Sequence, residues 1–400
     1  MPKKVCIITG CYPARSETFV VEHVCGLARL GYKVSVVSLG VGDGMSLAEV
    51  EASDAAGVRR VNIKSYSRNR LKNLKQMFSR VIRKPKLILL VFLRGPWTLR
   101  ELFIAEAYSE VVDELQPDVL HIHYGNKAGA LCEIDLPLGA IITWHGYDAN
   151  SLPCLRGQEM YHKLFAKPYR HTVGSKLMLD RLQELGCDLS QIDQIPMGVD
   201  LGKFVYVDRS GRDADIFQIV SVGRLDEMKG HRYLIAAVEQ LISNGLLVRL
   251  RIVGEGPLRD ELEVQIQESG LIDWVELLGA RDSVDVRQEL EAADLFVLAG
   301  VEAASGRVET QGVVLIEAQA AGLPVVTSNV GGVPSSLVDG ETGVLCEPKN
   351  IGQIALAIQK YADNQELRLA HGRSASEFVA QRFSLATMLD DFEKIYAYDI

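Results

Sequence analysis

Short apolar runs alternate with segments of helical periodicity along most of this chain, a pattern typical of an α/β protein with parallel sheets. In the first half, the apolar runs predict strands at Val5–Thr9, Lys33–Leu39, Asp118–His123, Ala140–Trp144 and His171–Val173. The helical periodicity there predicts helices at Glu17–Leu30, Thr98–Leu115 and Ser175–Leu185. We therefore expect residues 1–197 to form one doubly wound, Rossmann-like domain.

The alternation is interrupted near Ile195–Asp200, and a polar stretch, Asp208–Asp215, follows. A second series then predicts strands at Ile216–Val222, Leu247–Val253, Trp274–Leu278, Leu295–Leu298 and Pro324–Thr327, with helices beginning near Lys229, Pro257, Val284 and Gly312. This series predicts a second Rossmann-like domain over residues 205–382. Two such halves are expected to face each other across a cleft at the carboxyl ends of their strands, where α/β proteins bind ligands.

The composition is that of a soluble globular protein with well-filled cores, with 400 residues of which 48% are hydrophobic and 24% charged. No apolar run reaches the ~18 residues of a membrane span, and too few residues precede the first strand for a signal peptide. The seven cysteines are scattered and never spaced as Cys-x-x-Cys, which favours reduced thiols in the cytoplasm and argues against a zinc site. A net charge of −9 argues against general nucleic-acid binding.

One segment departs strongly from this average, because residues 59–100 contain 13 Lys/Arg and no Asp/Glu. Within it, apolar residues recur at helical spacing from Leu71 to Ile82, and the apolar run Leu87–Leu93 follows. A basic amphipathic helix beside exposed apolar residues is typical of an element that lies on an anionic membrane surface. A solvated helix packed on its own domain would give the same periodicity, so both interpretations stay open.

The most informative stretch contains two glutamates, Glu309 and Glu317, on either side of Gly312-Val313. A glycine at the start of a helix lets a ligand approach the free backbone N–H groups, where the helix dipole favours negative charge. With Gly312 at the helix start, Glu317 lies roughly 7–8 Å further along the axis, at about 1.5 Å rise per residue. A carboxylate on each side of an anion pocket suits a nucleotide-diphosphate sugar, which has hydroxyls at both ends and phosphates between.

A second motif provides positive charge, because Arg224 and Lys229 follow the strand that ends near Gly223. Two cations at the carboxyl end of a strand can neutralise a diphosphate and the charge that develops when a glycosidic bond breaks. A surface loop with an Asp226–Lys229 ion pair is the structural alternative. The two glutamates favour the diphosphate interpretation.

In the first half, His145-Gly146-Tyr147-Asp148 directly follows a predicted strand, and His121-Ile122-His123-Tyr124 ends the preceding one. A histidine at the carboxyl end of a strand is placed to face the ligand side of the sheet, although a lone histidine is more often structural. No carboxylate–thiol set completes a metal site around His121 and His123, so we predict no metal there.

Two other cofactor classes are disfavoured by the motifs. The segment Gly254-Glu255-Gly256 lacks the third glycine of a dinucleotide fingerprint, because Arg259 stands in its place. The one Asp-x-Asp triplet, Asp213–Asp215, lies in the polar linker, where solvation explains it better than metal binding. The sequence therefore predicts no cofactor other than a nucleotide-sugar co-substrate.

Taken together, Glu309-x7-Glu317 with Gly312, Gly322-Leu323-Pro324-Val325 and the Arg224/Lys229 pair resemble the signature of retaining glycosyltransferase family 4, whose members have the GT-B fold. His145-Gly-x-Asp148 also occurs in that family. The first loop has Pro-x-x-Ser-Glu-Thr-Phe (Pro13 to Phe19) where many members have a Gly-Gly pair, and this variant resembles bacterial exopolysaccharide enzymes of the colanic-acid type. Thr310 is a second departure, since a glycine commonly follows the first glutamate.

The resemblance implies a metal-independent hexosyltransferase that moves a sugar, with retention, to a hydroxyl of a saccharide or lipid-linked acceptor. It implies catalytic roles for Glu309 and His145, and that residues 383–400 form a helix returning to the N-terminal domain. It implies donor contacts from Arg224, Lys229, Gly312, Val313, Glu317 and Arg281, and an acceptor side that contains Ser16, Glu17, Tyr124 and Asp148. Two rival functions are a membrane-associated GT-B assembly protein without activity and an NAD-type oxidoreductase.

Overall fold

The computed structural model describes residues 3–14, 17–40, 53–63, 97–133, 139–212 and 215–397. The predicted basic helix and apolar run within 64–96, the residue Ser16 and most of the Asp213–Asp215 triplet lie outside these ranges. The chain divides into two compact units, the first comprising Met1–Ile195 with Leu389–Ile400 and the second Pro196–Met388.

The first unit contains a seven-stranded parallel sheet with the order β3-β2-β1-β4-β5-β6-β7. Its strands are β1 (Lys4–Ile8), β2 (Lys33–Ser38), β3 (Arg59–Asn62), β4 (Val119–His123), β5 (Ala140–Trp144), β6 (Arg170–Val173) and β7 (Ile192–Gln194). Its helices are α1 (Thr18–Arg29), α2 (Leu99–Leu115), α3 (Gly125–Cys132), α4 (Leu152–Arg156), α5 (His162–Phe165) and α6 (Lys176–Glu184). Strands β4 and β5 are buried along their whole length, as expected of parallel strands covered on both faces.

The second unit contains a six-stranded parallel sheet with the order β10-β9-β8-β11-β12-β13. Its strands are β8 (Phe217–Val222), β9 (Val248–Val253), β10 (Val275–Gly279), β11 (Leu295–Leu298), β12 (Val325–Ser328) and β13 (Gly343–Cys346). Its helices are α7 (His231–Ser243), α8 (Arg259–Glu268), α9 (Ser283–Ala292), α10 (Val313–Ala320), α11 (Ile351–Asp363) and α12 (Gln365–Arg382). A last helix, α13 (Leu385–Tyr396), begins in this unit. The predicted fold class, with two doubly wound α/β halves, is therefore confirmed.

Helix α13 supplies core residues to the first unit, to which its residues from Leu389 onward belong. Phe392 and Tyr396 are almost completely buried there. Lys3 Nζ donates a hydrogen bond to the Tyr396 carbonyl oxygen at 2.8 Å, and the Tyr32 hydroxyl donates to the Glu393 carboxylate at 2.9 Å. Among the described residues, none of the helices has the length and apolar character needed to cross a bilayer.

Candidate functional site

The candidate donor site of the second unit lies at the carboxyl end of β8. After Val222 the chain forms a short 3-10 turn, Glu227–Lys229, and the helix α7 then begins at His231. The Lys229 ammonium forms a direct ion pair with the Glu309 carboxylate, and each of the two side chains is only 14% exposed. The pair therefore holds the loop after β8 against the loop that precedes α10.

Burial alone would raise the pKa of Glu309, because a carboxylate loses hydration when it leaves water. The charge and hydrogen bond of Lys229, together with the backbone N–H groups of Thr310 and Gly312, outweigh that effect and lower the pKa below its ordinary value. Glu309 is accordingly an anion at neutral pH, with its charge directed at Lys229.

A glycine turn after β12 fixes the backbone of Glu309. The Gly332 N–H donates to the Glu309 carbonyl oxygen at 2.8 Å. Gly331 has a φ of +63°, and a Cβ at this position would lie only 2.1 Å from the same oxygen. Only glycine fits here, since any side chain would displace the Glu309 backbone.

Helix α10 begins at Val313, a few residues after Glu309, with Gly312 as its N-cap in the left-handed conformation at φ +78°. The side chain of Gln311 pairs twice with the Met197 backbone, accepting from its N–H and donating to its carbonyl oxygen at 2.9 Å each. The backbone N–H groups of the first turn, beginning with Val313, thus have a fixed position. Glu317 is half-buried further along this helix.

The remaining predicted donor residues are more open to solvent. Arg224 is exposed in the loop after β8. Arg281 follows the edge strand β10, is 43% exposed and lies 3.9 Å from Asp285. The predicted alternative, an Asp226–Lys229 ion pair, is wrong because Asp226 lies beside Arg307, at 3.5 Å, while Lys229 pairs with Glu309.

In the first unit, His145 follows β5 in a loop organised by Asp148. The buried Asp148 carboxylate accepts hydrogen bonds from the backbone N–H groups of Gly125 at 2.7 Å, Gly146 at 2.9 Å and His145 at 3.2 Å. The side chain is fully buried and engaged with backbone, so it holds the loop that carries His145 and does not face solvent.

His145 belongs to a cluster of four histidines with His23, His121 and His123. His123 Nδ1 lies 2.9 Å from His145 Nε2, and the rings of His121 and His123 stack with centroids 4.8 Å apart. Removal from water is the main cause that lowers the pKa values of all four, to about 3 for His23 and for His145. All four rings are therefore neutral at physiological pH.

Three of these histidines, His23, His121 and His123, each have a ring nitrogen within 4.8 Å of the others, which raises the question of a metal ion. A ligand's lone pair lies in its ring plane, and the planes of His121 and His123 are only 9° from parallel. Both nitrogens of His121 also have partners, the hydroxyl of Tyr396 and that of Thr143, at 2.6 Å each. The three rings therefore do not fit a shared metal ion.

The predicted acceptor side also contains Glu17, Tyr124 and a cation that the sequence did not single out, Lys127. The Thr9 hydroxyl donates to the Glu17 carboxylate at 3.3 Å. The Tyr124 ring lies 4.6 Å from that of His145, and Lys127 Nζ lies 4.1 Å from the Tyr124 ring centroid. Burial raises the pKa of Tyr124, and the nearby Glu17 raises it further, so the phenol stays protonated.

The structure brings the predicted residues Lys229 and Glu309 together in the second unit, and Tyr124 and His145 in the first. The sequence missed several residues that support them. Gly331 and His23 gave no local signal, because their roles come from contacts with residues far away in the chain. Gln311 and Lys127 stand beside motifs that were recognised, so proximity to those motifs was the one available signal.

Solved structures of other proteins share this architecture. Anabaena HepE, solved in complex with UDP-glucose, matches at a TM-score of 0.73 with 18% identity, over 98% of this chain and 99% of that one. A sucrose-phosphate synthase from Thermosynechococcus elongatus matches at 0.74 with 20% identity, over 99% and 98%. The fold is that of a GT-B glycosyltransferase.

Sequence comparisons identify the family. The model for Glycosyltransferase Family 4 matches residues 16–203, and that for Glycosyl transferases group 1 matches residues 205–378. The protein named "Putative colanic acid biosynthesis glycosyltransferase WcaL" from Escherichia coli (strain K12) is 30% identical over 371 residues, 89% of this chain and 90% of that protein. The amylovoran biosynthesis glycosyltransferase AmsK of Erwinia amylovora is 28% identical, over 93% and 91%. This chain therefore belongs to glycosyltransferase family 4, which removes the oxidoreductase alternative.

Proposed function

We propose that this glycosyltransferase moves a sugar, with retention at the anomeric carbon, from a nucleotide-diphosphate sugar to a hydroxyl of a saccharide or lipid-linked acceptor. The process served is exopolysaccharide or glycolipid biosynthesis, which the names of the two bacterial relatives support. The observation that carries the proposal is the Lys229–Glu309 ion pair directly before the N-terminus of α10. It joins a cation suited to phosphate with a carboxylate suited to sugar hydroxyls.

In this proposal the second unit binds the donor. Lys229 and Arg224 contact the diphosphate, and the backbone N–H groups at Gly312-Val313 contribute the positive end of the helix dipole. Glu309 accepts hydrogen bonds from hydroxyls of the transferred sugar, and Glu317 accepts those of the ribose. Arg281 flanks the base.

The first unit presents the acceptor hydroxyl near His145. That oxygen attacks the anomeric carbon on the face from which the phosphate leaves. The bond between the anomeric carbon and the phosphate oxygen breaks, and its electron pair stays on that oxygen. The leaving phosphate takes up the proton of the acceptor hydroxyl. The alternative, a double displacement, needs a carboxylate nucleophile about 5 Å from its acid partner. We do not assign Glu309 as that nucleophile, because its carboxylate forms an ion pair with Lys229.

The reaction is proposed to need no divalent metal. Lys229, Arg224 and the α10 N-terminus provide positive charge where a metal would otherwise neutralise the leaving diphosphate. Adding EDTA is therefore expected to leave turnover unchanged, whereas restoration of activity by Mg²⁺ or Mn²⁺ would overturn this part.

The enzyme is proposed to act in the cytoplasm, on the inner face of the membrane. None of the seven cysteines, all of which lie within the described residues, forms a disulfide, and the basic stretch 59–100 suits an anionic surface. Flotation with phosphatidylglycerol liposomes tests this, with charge reversal at Arg80, Arg83, Lys84 and Lys86 expected to abolish association.

Hydrolysis of a nucleotide sugar in the absence of acceptor tests the catalytic proposal. UDP-glucose is the first donor to try, because HepE was solved with it. Glu309→Ala and Lys229→Ala should each lower the rate at least a hundredfold, whereas Arg170→Ala, which breaks an ion pair with Asp193 in the first unit, should not. A purified chain that neither binds nor hydrolyses any of a panel of nucleotide sugars would refute the proposal.

A further inference from the structure

The first unit has a cavity of about 520 Å³ beside helices α2 and α3. This volume lies within the range of small-molecule sites. Its lining combines the charged side chains Arg100, Glu101, Lys127 and Arg156 with the apolar side chains Leu39 and Ile104.

The charges in this cavity do not balance. Both oxygens of Glu101 lie 2.9 Å from Arg156 Nη1, and one of them also accepts from the Thr98 backbone N–H at 2.9 Å. That carboxylate is therefore fully used in neutralising Arg156 and capping α2. Among the described residues, no carboxylate forms an ion pair with Arg100 or Lys127, whereas Arg156 pairs with Glu101. The cavity therefore has two cations without an ion-paired carboxylate, the exposed Arg100 and the half-buried Lys127.

Lys127 is the more telling of the two cations because it is half-buried. Burial is the largest influence on its ammonium and lowers its pKa, while the negative charges of Glu17 and Asp148 oppose that effect. A partly desolvated ammonium without a close counter-ion is stabilised when an anion binds to it.

The cavity also reaches toward the reacting groups. Lys127 Nζ lies 4.1 Å from the Tyr124 ring centroid, and that ring lies 4.6 Å from His145. We propose that the cavity binds the phosphate or diphosphate group of a phosphorylated acceptor through Arg100 and Lys127, and so presents the acceptor's hydroxyl near His145. This inference rests on the proposed function, since it names the acceptor class of that reaction.

Titration with two probes, inorganic diphosphate and farnesyl diphosphate, tests the inference in the full-length protein. Because the donor site also binds diphosphates, each titration is performed in the Lys229→Met background. Adding Lys127→Met or Arg100→Met should weaken binding at least tenfold. Lys127→Arg should retain it, and Lys33→Met, which removes an exposed cation elsewhere in the first unit, should have no effect.

The two probes also distinguish the source of the phosphate. Equal affinities indicate a soluble phosphorylated saccharide, whereas tighter binding of farnesyl diphosphate that is lost in Ile104→Asp indicates a lipid-linked one. Affinities that do not change in Lys127→Met and Arg100→Met would overturn the inference. Failure of the wild-type chain to hydrolyse any nucleotide sugar would instead refute the proposed function. The titrations would still show whether the cavity binds a diphosphate, because they do not depend on hydrolysis.

Discussion

Lys229 and Glu309 stand 80 positions apart in the chain, and their side chains meet in a direct, largely buried ion pair. A buried pair of this kind adds little net stability, because desolvation of both charges offsets most of their attraction. In the proposed function, its value lies in placing a phosphate ligand and a sugar ligand side by side before a donor binds.

Removing one member of this pair should destabilise the protein more than removing both. We expect Lys229→Met to lower the free energy of unfolding by up to about 3–5 kcal/mol, because it leaves a buried carboxylate without its partner. The double variant Lys229→Met/Glu309→Gln should recover part of that loss. Urea unfolding of the two single variants and the double variant measures the coupling, and simple additivity of the two losses would contradict it.

The lowered pKa of Glu309 predicts an acid-dependent loss of stability with a defined sign. A carboxylate with a lowered pKa stabilises the folded state above its unfolded pKa, ordinarily about 4.5, and this contribution is lost as the pH falls through the folded value. Tm values of the wild type and of Glu309→Gln should therefore converge below pH 4.5. A constant difference across that range would show that the carboxylate is not held as an anion.

The buried histidines predict a separate effect at higher pH. Unfolded histidine binds a proton near pH 6.5, whereas His23 in the folded chain binds one only near pH 3, so the unfolded state takes up more protons between these values. Stability should thus fall with acidification from pH 6.5, by about 1.4 kcal/mol per pH unit for each such histidine. His23→Gln should make the slope shallower, and His162→Gln at an exposed position should leave it unchanged.

Gly331 offers a test of backbone placement at the donor site. Gly331→Ala should lower nucleotide-sugar hydrolysis at least tenfold, because the new Cβ would clash with the Glu309 carbonyl oxygen 2.1 Å away. Gly340→Ala is the matched control, since Gly340 also has a positive φ, +77°, but nothing lies within 4 Å of a Cβ there. Both variants should lose about 1–2 kcal/mol of stability from the strained φ. Equal activities would contradict a specific role for Gly331.

The architecture followed closely from the apolar pattern because buried parallel strands form continuous apolar runs. The runs at Leu295–Leu298 and Ala140–Trp144 coincide with strands of the structure. The edge strand β3, Arg59–Asn62, was missed because its residues are exposed or half-buried and read as part of a basic segment. The edge strand β13, Gly343–Cys346, was also missed because its apolar run is only four residues long.

The site was only partly predictable. Glu309 and Lys229 stood out because their residue types suit the chemistry of a donor. That the two form a pair could not be predicted, since Lys229 was expected to face either a phosphate or Asp226. The proposed role of Lys127 in phosphate binding could not be predicted either. It depends on the lack of an ion-paired carboxylate, which is a property of the three-dimensional surroundings and not of sequence spacing.

The burial of Tyr396 in the first unit has a consequence for synthesis in the cell. Its hydroxyl lies 2.6 Å from His121 Nδ1, although 275 positions separate the two residues. The ribosome makes β1 to β7 long before it makes this tyrosine, so the first unit emerges with a gap in its core. The unit translated first can therefore complete its folding only after the unit translated second has left the exit tunnel.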